Sequence, residues 1–349
     1  MIAVHPEKIR ELVTDIFIRE KVPPEDAAIV VDALLDANLT GRASHGILRT
    51  KSYIHRIEAG GINPRADIRV IRESDTTAVI DGDNGLGMVI STKAARLCRD
   101  KAEKTGIACV AVRNSNHYGA AAYWTEMIGQ DDMIAFSCSN SEPLVAPPGG
   151  KAVALGTNPL CMYVPTASHG PLCLDIATSA VAQGKLFDYR LRHHELGVGW
   201  AVDAEGLPTT DPERAVYLTP FAAHKGYGIA VMIEVMCSLL TGGVFGPEIH
   251  SLINEPDKPN NVSYCFIGIN ISRFRDLAAF KEDVDRFVDF LHATPAVEGQ
   301  RVLVPGELEQ EARRKVQEEG LLLPEDLVAQ LKEIAADLGI ENAEQYFSL

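Results

Sequence analysis

A chain of 349 residues, 46% hydrophobic and 23% charged, has room for two or three packed units around real cores. Its formal net charge of −15 argues against a nucleic-acid backbone or an anionic membrane as main partner. A small anionic substrate remains compatible, because a few cations can dominate one pocket.

The opening residues, Met1 to Pro6, lack the basic-then-apolar pattern of a secretory leader. Residues 6–21 and 24–39 read as two helices. The second starts at Pro23-Pro24-Glu25-Asp26 and buries a stripe of Ala27, Val30, Val31, Leu34 and Leu35. Ser44-His45-Gly46-Ile47-Leu48-Arg49 follows, with Tyr53 one turn beyond Arg49 on a new helix that Ala59-Gly60-Gly61 ends. Strands are expected at 68–71 and 77–80, and a helix over 91–104. The turn between them, Asp81-Gly-Asp-Asn-Gly-Leu-Gly-Met88, is not a dinucleotide fingerprint. G-x-G-x-x-G needs glycine at 90, which is Ile90, and no acidic residue closes a strand about 20 residues on. Gly85 and Gly87 read as turn glycines that bring backbone close to something.

Ile107 to Val112 is a buried strand, and residues 120–128 form a helix. Strands follow at 133–140, 160–165 and 172–177. Residues 186–214, polar and rich in Gly, Asp and Pro, read as a long surface excursion, with His193-His194 solvated. A long apolar helix runs from Ala222 to Leu240. The longest apolar run, from Ile229, is broken by Glu234 and too short to cross a bilayer. A strand at 262–269, an amphipathic helix at 277–292, a short extended piece at 302–307 and charged helices at 308–319 and 324–338 complete the chain. Strands that follow one another with only turns between them indicate α+β rather than a regular βαβ array. The seven cysteines include no C-x-x-C pair and read as free buried thiols, so a cytoplasmic protein without a zinc site is expected.

Arg113-Asn-Ser-Asn-His117-Tyr-Gly119 is the stretch best placed for chemistry. A histidine at a strand-to-helix crossing can turn its ring into a cavity, and its ordinary pKa lets it give and take a proton near neutrality. It could also merely cap the next helix. Arg49 offers a two-pronged donor for a carboxylate, or is a surface arginine. Ser44 and His45 either cap a helix or donate to a substrate. Lys225, beside Gly226 and Gly228 at a helix start, suits a phosphate or ribose oxygen, or is a solvated side chain on a flexible turn. Asp175 ends a buried strand and needs hydrogen-bond partners, whether a ribose hydroxyl, a nicotinamide amide or its own turn.

These motifs together resemble the malate/L-lactate dehydrogenase family, which is distinct from the Rossmann-type lactate and malate dehydrogenases. The resemblance rests on SHGILR at 44–49, TAVIDGDNGLG at 77–87, RNSNHYG at 113–119, SNSEPLVAPPGG at 139–150, GTNP at 156–159, LDIATS at 174–179, HKGYG at 224–228 and VPGE at 304–307. Each string is weak alone, and eight in order are specific to the family. The resemblance implies an NAD- or NADP-binding domain on a mostly antiparallel, non-Rossmann sheet. From the run of elements, a helical part from 1–73 is expected to pack with 300–349 around a central region at 74–299. The resemblance also implies a homodimer, with His117 as acid/base, and with Ser44, His45 and Arg49 lining the substrate pocket. Ser141, Asp175, Ile176, Ala177, Lys225, Gly306 and Glu307 are the implied cofactor contacts. The expected reaction interconverts a 2-hydroxy acid and a 2-oxo acid, with malate and oxaloacetate first. Sulfolactate, lactate, ureidoglycolate and a cyclic imino acid are the alternatives, and the short Tyr217–Phe221 approach to HKGYG bears on which applies. A non-catalytic NAD(P)-binding protein is a further alternative, against which the intact His117, Arg49 and Lys225 speak.

Overall fold

Two helices open the chain, and its far end ties them down. In the computed structural model, which describes residues 1–349, β1 (Ile2–Val4) leads into α1 (Pro6–Arg19) and α2 (Pro24–Leu39). Both helices carry proline in the first turn, where a missing N–H costs nothing. Two 3₁₀ turns, Ala43–His45 and Ile47–Arg49, lead to α3 (Thr50–Ala59), which Gly60 ends in the left-handed region. Then come β2 (Arg69–Glu73), β3 (Thr77–Asp81), α4 (Gly87–Thr105), β4 (Ile107–Ser115), α5 (Ala121–Gly129) and β5 (Met133–Ser139). They are followed by β6 (Leu160–Val164), β7 (Leu172–Ile176), α6 (Gln183–Leu191), β8 (Ala201–Val202), β9 (Pro208–Thr209) and β10 (Tyr217–Leu218). The chain finishes with α7 (His224–Glu234), β11 (Val262–Asn270), α8 (Leu277–His292), α9 (Glu307–Glu319), β12 (Leu321–Leu323) and α10 (Glu325–Asp337).

The main sheet has seven strands in the order β2-β3-β4-β11-β5-β6-β7. Only β3 and β4 are parallel, joined through α4; every other neighbouring pair is antiparallel. One continuous core covers the sheet with α2, α4 and α5 and extends to Leu327 and Leu331 of α10. Fully buried leucines such as Leu34 and Leu331 each contribute about 1.5–3 kcal/mol. At the edge of this mass β1 pairs antiparallel with β12, and Arg313 of α9 reaches Asp36 of α2 at 2.5 Å. No helix is long and apolar enough to cross a membrane.

Three features depart from the expectations. Residues 186–214, expected as a long surface excursion, carry a small core of their own. With their neighbours they form α6 and a three-stranded sheet, β10-β8-β9, over a small core of Val145, Val181, Leu186, Leu196, Ala201, Ala215 and Leu218. Strands two residues long show no alternation, so periodicity had nothing to report there. The long apolar helix starts at His224 and widens into a π-helical turn at Val235–Leu239. Its apolar side is not all buried: Ile229, Met232, Val235, Leu239 and Leu240 lie exposed, as do Phe287 and Phe290 of α8. The seven cysteines, all free, are dispersed in sequence, yet six of them pair in space. Sγ–Sγ distances are 3.4 Å for Cys109–Cys265, 3.6 Å for Cys138–Cys237 and 3.9 Å for Cys161–Cys173.

Candidate active site

Strand β4 runs past its apolar stretch to Ser115, and its polar end is stitched to the turn after β3. Asp81 accepts from Arg113 Nε at 3.1 Å and from Asn114 Nδ2 at 2.9 Å. Asn116 Nδ2 donates to the carbonyls of Asn84 and Gly85 at 2.8 and 3.0 Å. A Cβ on Gly87 would overlap the carbonyls of Asn116 and His117. The glycine turn 81–87 therefore supports the loop that carries His117, and glycine is required for that close approach.

His117 is fixed on three sides. Its backbone N–H donates to Asn260 Oδ1 at 3.0 Å, the Tyr53 hydroxyl lies 2.6 Å from its Nδ1, and the Gly119 N–H points at the same nitrogen from 3.4 Å. Nε2 has no protein partner, and the ring lines a cavity of about 640 Å³. Beside it, His45 stacks on His117 with ring centroids 5.6 Å apart. His45 comes from the first 3₁₀ turn, where Ser44 Oγ sits 3.0 Å from its Nδ1. Gly46 must lack a Cβ there because Asn38 Oδ1, which accepts from the Ile47 N–H at 2.7 Å, occupies that space. Arg49 closes the second 3₁₀ turn. Its Nε donates to the Ser44 carbonyl at 2.8 Å, and the rest of its fork has no protein partner.

Burial, with the positive charges of Arg49 and Arg42, brings His45 down to about 4. Burial holds His117 well below its ordinary value, with His45 and Arg49 acting in the same direction. Both rings are neutral at neutral pH. An anion seated on Arg49 would cancel part of that positive field and raise His117. The arrangement is an anion subsite next to a neutral imidazole with one free nitrogen, suited to abstracting or returning a hydroxyl proton next to a carboxylate.

The same cavity takes in Ser141, Thr157, Asp175 and Ala177, and the first turn of α6 with Gln183 and Lys185. Asp175 accepts from the Ala122 N–H at 3.1 Å and lies 3.5 Å from Arg42, which also reaches Glu309 at 3.3 Å. Burial pushes its carboxyl up against the pull of Arg42. Seven of the eleven expected site residues thus share one cavity: Ser44, His45, Arg49, His117, Ser141, Asp175 and Ala177. Ile176, Lys225, Gly306 and Glu307 lie outside its lining. Ile176 alternates to the other side of β7 from Asp175, as strand pleating requires. Lys225 is exposed on the first turn of α7. Gly306 packs on Pro171 and Cys173. Glu307 is held by His292 Nε2 at 3.0 Å and by the Val304 N–H at 2.9 Å.

Sequence reasoning assigned no role to Arg42, Asn260, Lys185, Tyr53 or Arg56. Arg56 is fully buried and donates to the carbonyls of Ser251 and Glu255 at 2.9 Å and of Lys258 at 2.5 Å. It holds the loop whose Leu252 and Ile253 form part of the cavity wall. Only Tyr53 carried a signal, its spacing from Arg49; nothing local marks the others. No group of three or more His, Cys, Asp or Glu is arranged to hold a metal ion.

Residues 4–332 match the family model described as malate/L-lactate dehydrogenase. The chain is 40% identical to L-sulfolactate dehydrogenase of Methanocaldococcus jannaschii, over 98% of each chain. It is 38% identical to malate/(S)-sulfolactate dehydrogenase of Methanothermus fervidus, over 97% of this chain and 98% of the other. Ureidoglycolate dehydrogenase (NAD(+)) of Escherichia coli is 31% identical over 92% of each. The solved structure of the M. jannaschii sulfolactate dehydrogenase superposes with a TM-score of 0.93 over 99% of both chains.

Proposed function

The chain belongs to the malate/L-lactate dehydrogenase family, and on that premise we propose that it interconverts malate and oxaloacetate with His117 as acid/base. It is an NAD(P)-dependent 2-hydroxy acid dehydrogenase. The observation that carries the residue assignment is the pairing of a free His117 Nε2 with the unpartnered fork of Arg49 in one cavity. Arg49 takes the substrate carboxylate, and Ser44 and His45 complete that subsite. In oxidation His117 takes the hydroxyl proton while the neighbouring carbon gives up a hydride; reduction reverses both.

An NAD(P) molecule presents anionic phosphates, ribose hydroxyls and a carboxamide, and it supplies or accepts the hydride when bound. The cavity's donor set suits it. The hydroxyls of Ser141 and Thr157, the first-turn amides of α6 and the Lys185 ammonium face one space with the Asp175 carboxylate. Ser141, Asp175 and Ala177 are assigned to the cofactor, as are Ile176, Lys225, Gly306 and Glu307 on the family resemblance.

Sulfolactate is the second reading, favoured by the 40% identical relative of that name. A homodimer covering the apolar stripe on α7 and Phe287 and Phe290 of α8 is also proposed, since this much exposed apolar surface is unusual for a monomer. The helical part, 1–73 with 300–349, is proposed to pack as one body beside 74–299, supported by the β1–β12 pair. Free thiols throughout suit a reducing cytoplasm.

The test is oxidation of NADH or NADPH, followed by absorbance, with oxaloacetate, sulfopyruvate, pyruvate and a cyclic imino acid. Fastest turnover with oxaloacetate is expected. Activity confined to sulfopyruvate would replace malate with sulfolactate and leave the His117 assignment in place.

A further inference from the structure

We infer that Tyr53 is the positioning residue that keeps His117 in the tautomer the reaction needs. The inference deepens the reading of His117 as acid/base and rests on it.

Nδ1 of His117 meets two groups. The Gly119 N–H, at 3.4 Å, can only donate and so favours a bare Nδ1, but at that length it is weak beside the 2.6 Å hydroxyl contact. The Tyr53 hydroxyl, at 2.6 Å, can donate or accept, and this is the only hydrogen bond Oη makes. To take a proton from a substrate hydroxyl, Nε2 must be bare, so the neutral ring must carry its proton on Nδ1. Only Oη can accept from an Nδ1–H there. Once Nε2 has taken the substrate proton the ring is an imidazolium, and its Nδ1–H still needs that acceptor. In reduction Nε2–H gives its proton to the oxygen that receives the pair of electrons from the carbonyl, and Nδ1–H stays on Oη. Tyr53 keeps its own proton throughout. Burial raises its phenol well above the usual range, against the pull of Arg49.

The other groups around the ring do not offer this. The 3₁₀ turns contribute His45 and Arg49, both of which oppose protonation of His117. The loop before β11 contributes the neutral Asn260, bonded to the backbone N–H. Tyr118, next in the chain, stacks on Tyr264 with centroids 4.7 Å apart. No carboxylate is bonded to Nδ1. A carboxylate in that place would favour the imidazolium strongly; a phenol orients the ring and leaves it easy to deprotonate.

The test is Tyr53→Phe, which keeps the buried ring and removes only the hydroxyl. The expected result is a fall in kcat of roughly 10- to 100-fold, by analogy with the orienting partners of metal-bound histidines. Substrate KM should change little. The acid limb of kcat/KM for alcohol oxidation should move to lower pH, because the imidazolium loses its acceptor. A merely structural role would lower kcat with the pH profile unmoved, and that outcome, or unchanged kcat, overturns the inference. His117→Ala is run in parallel. If it retains near-normal turnover, the acid/base reading fails first, independently of Tyr53. Should Tyr53→Phe fold poorly, two-bond nitrogen–proton NMR correlations of the wild-type holoenzyme address the same point. An Nδ1–H neutral ring supports the inference, and an Nε2–H ring in the presence of the 2-hydroxy acid overturns it.

Discussion

His117 is held by Gly119 in its own loop and by atoms from distant parts of the chain: Tyr53 on α3, Asn260 before β11, and the glycine turn through Asn116. The lobe that carries Lys185 rests on seven buried residues, and its lysine is steadied from the surface, with Nζ 4.7 Å from the Trp200 ring centre and 5.7 Å from that of Tyr189. The first wall is pinned by buried hydrogen bonds and the second by a thin apolar layer. A proton-transfer group must be placed within a fraction of an ångström, and such precision needs bonds fixed from several directions. A surface that contributes only contacts to a ligand tolerates looser placement, and a small core leaves its local unfolding free energy low.

The contrast can be broken most severely at its rigid end. His117→Ala should lower turnover at least about 100-fold, with cofactor affinity changed little, as measured by steady-state kinetics and fluorescence titration. Near-normal turnover would remove His117 from the role. Arg56→Met should lower the unfolding free energy by at least about 2 kcal/mol in urea denaturation, because several carbonyls of the 251–258 loop lose their donor, a buried guanidinium, together. A loss within experimental error would mean that the 250–258 loop holds itself. Arg49→Lys should raise the substrate KM roughly tenfold, since an ammonium cannot make the two-pronged contact; an unchanged KM would place the carboxylate elsewhere.

Acid sharpens the same comparison. His45 titrates near 4 in the folded protein against 6.5 ordinarily, so between those values the unfolded chain binds a proton that the folded one refuses. The stability from this group is complete above about 6.5 and is lost as pH falls toward 4; His117 has the same sign. The melting temperature should therefore drop from pH 7 to pH 5, and drop less in His45→Asn. The smallest effect belongs to the lobe. Trp200→Ala should raise the cofactor KM only about two- to fivefold, in line with roughly 0.5–1 kcal/mol for an exposed cation–π contact. A loss as large as that of His117→Ala would show that the lobe is as tightly specified as the histidine wall.

Much of this was legible before any coordinates. Helices α2 and α8 begin and end where the apolar period places them, because the stripe itself records which face is buried. The strand before His117, the helix after it and the gathering of Ser44, His45 and Arg49 near one turn all followed from local pattern and from the motif strings. Most of the motif strings straddle the ends of strands and helices, where the residue type answers to what the backbone and its neighbours require.

What local pattern could not decide was which distant segments meet. Strand β11 inserts between β4 and β5 although about 120 residues separate it from β5 in the chain. That insertion brings Cys265 beside Cys109, and the packing of α3 brings Tyr53 onto His117 across 64 positions. The lobe's core joins Val145 to Leu218 through strands too short to alternate. Periodicity measures burial along one element, whereas these contacts depend on sheet order and loop closure. Those are set by the packing of the whole chain, so the residue proposed as acid/base could be named from the sequence and the groups packed around it could not.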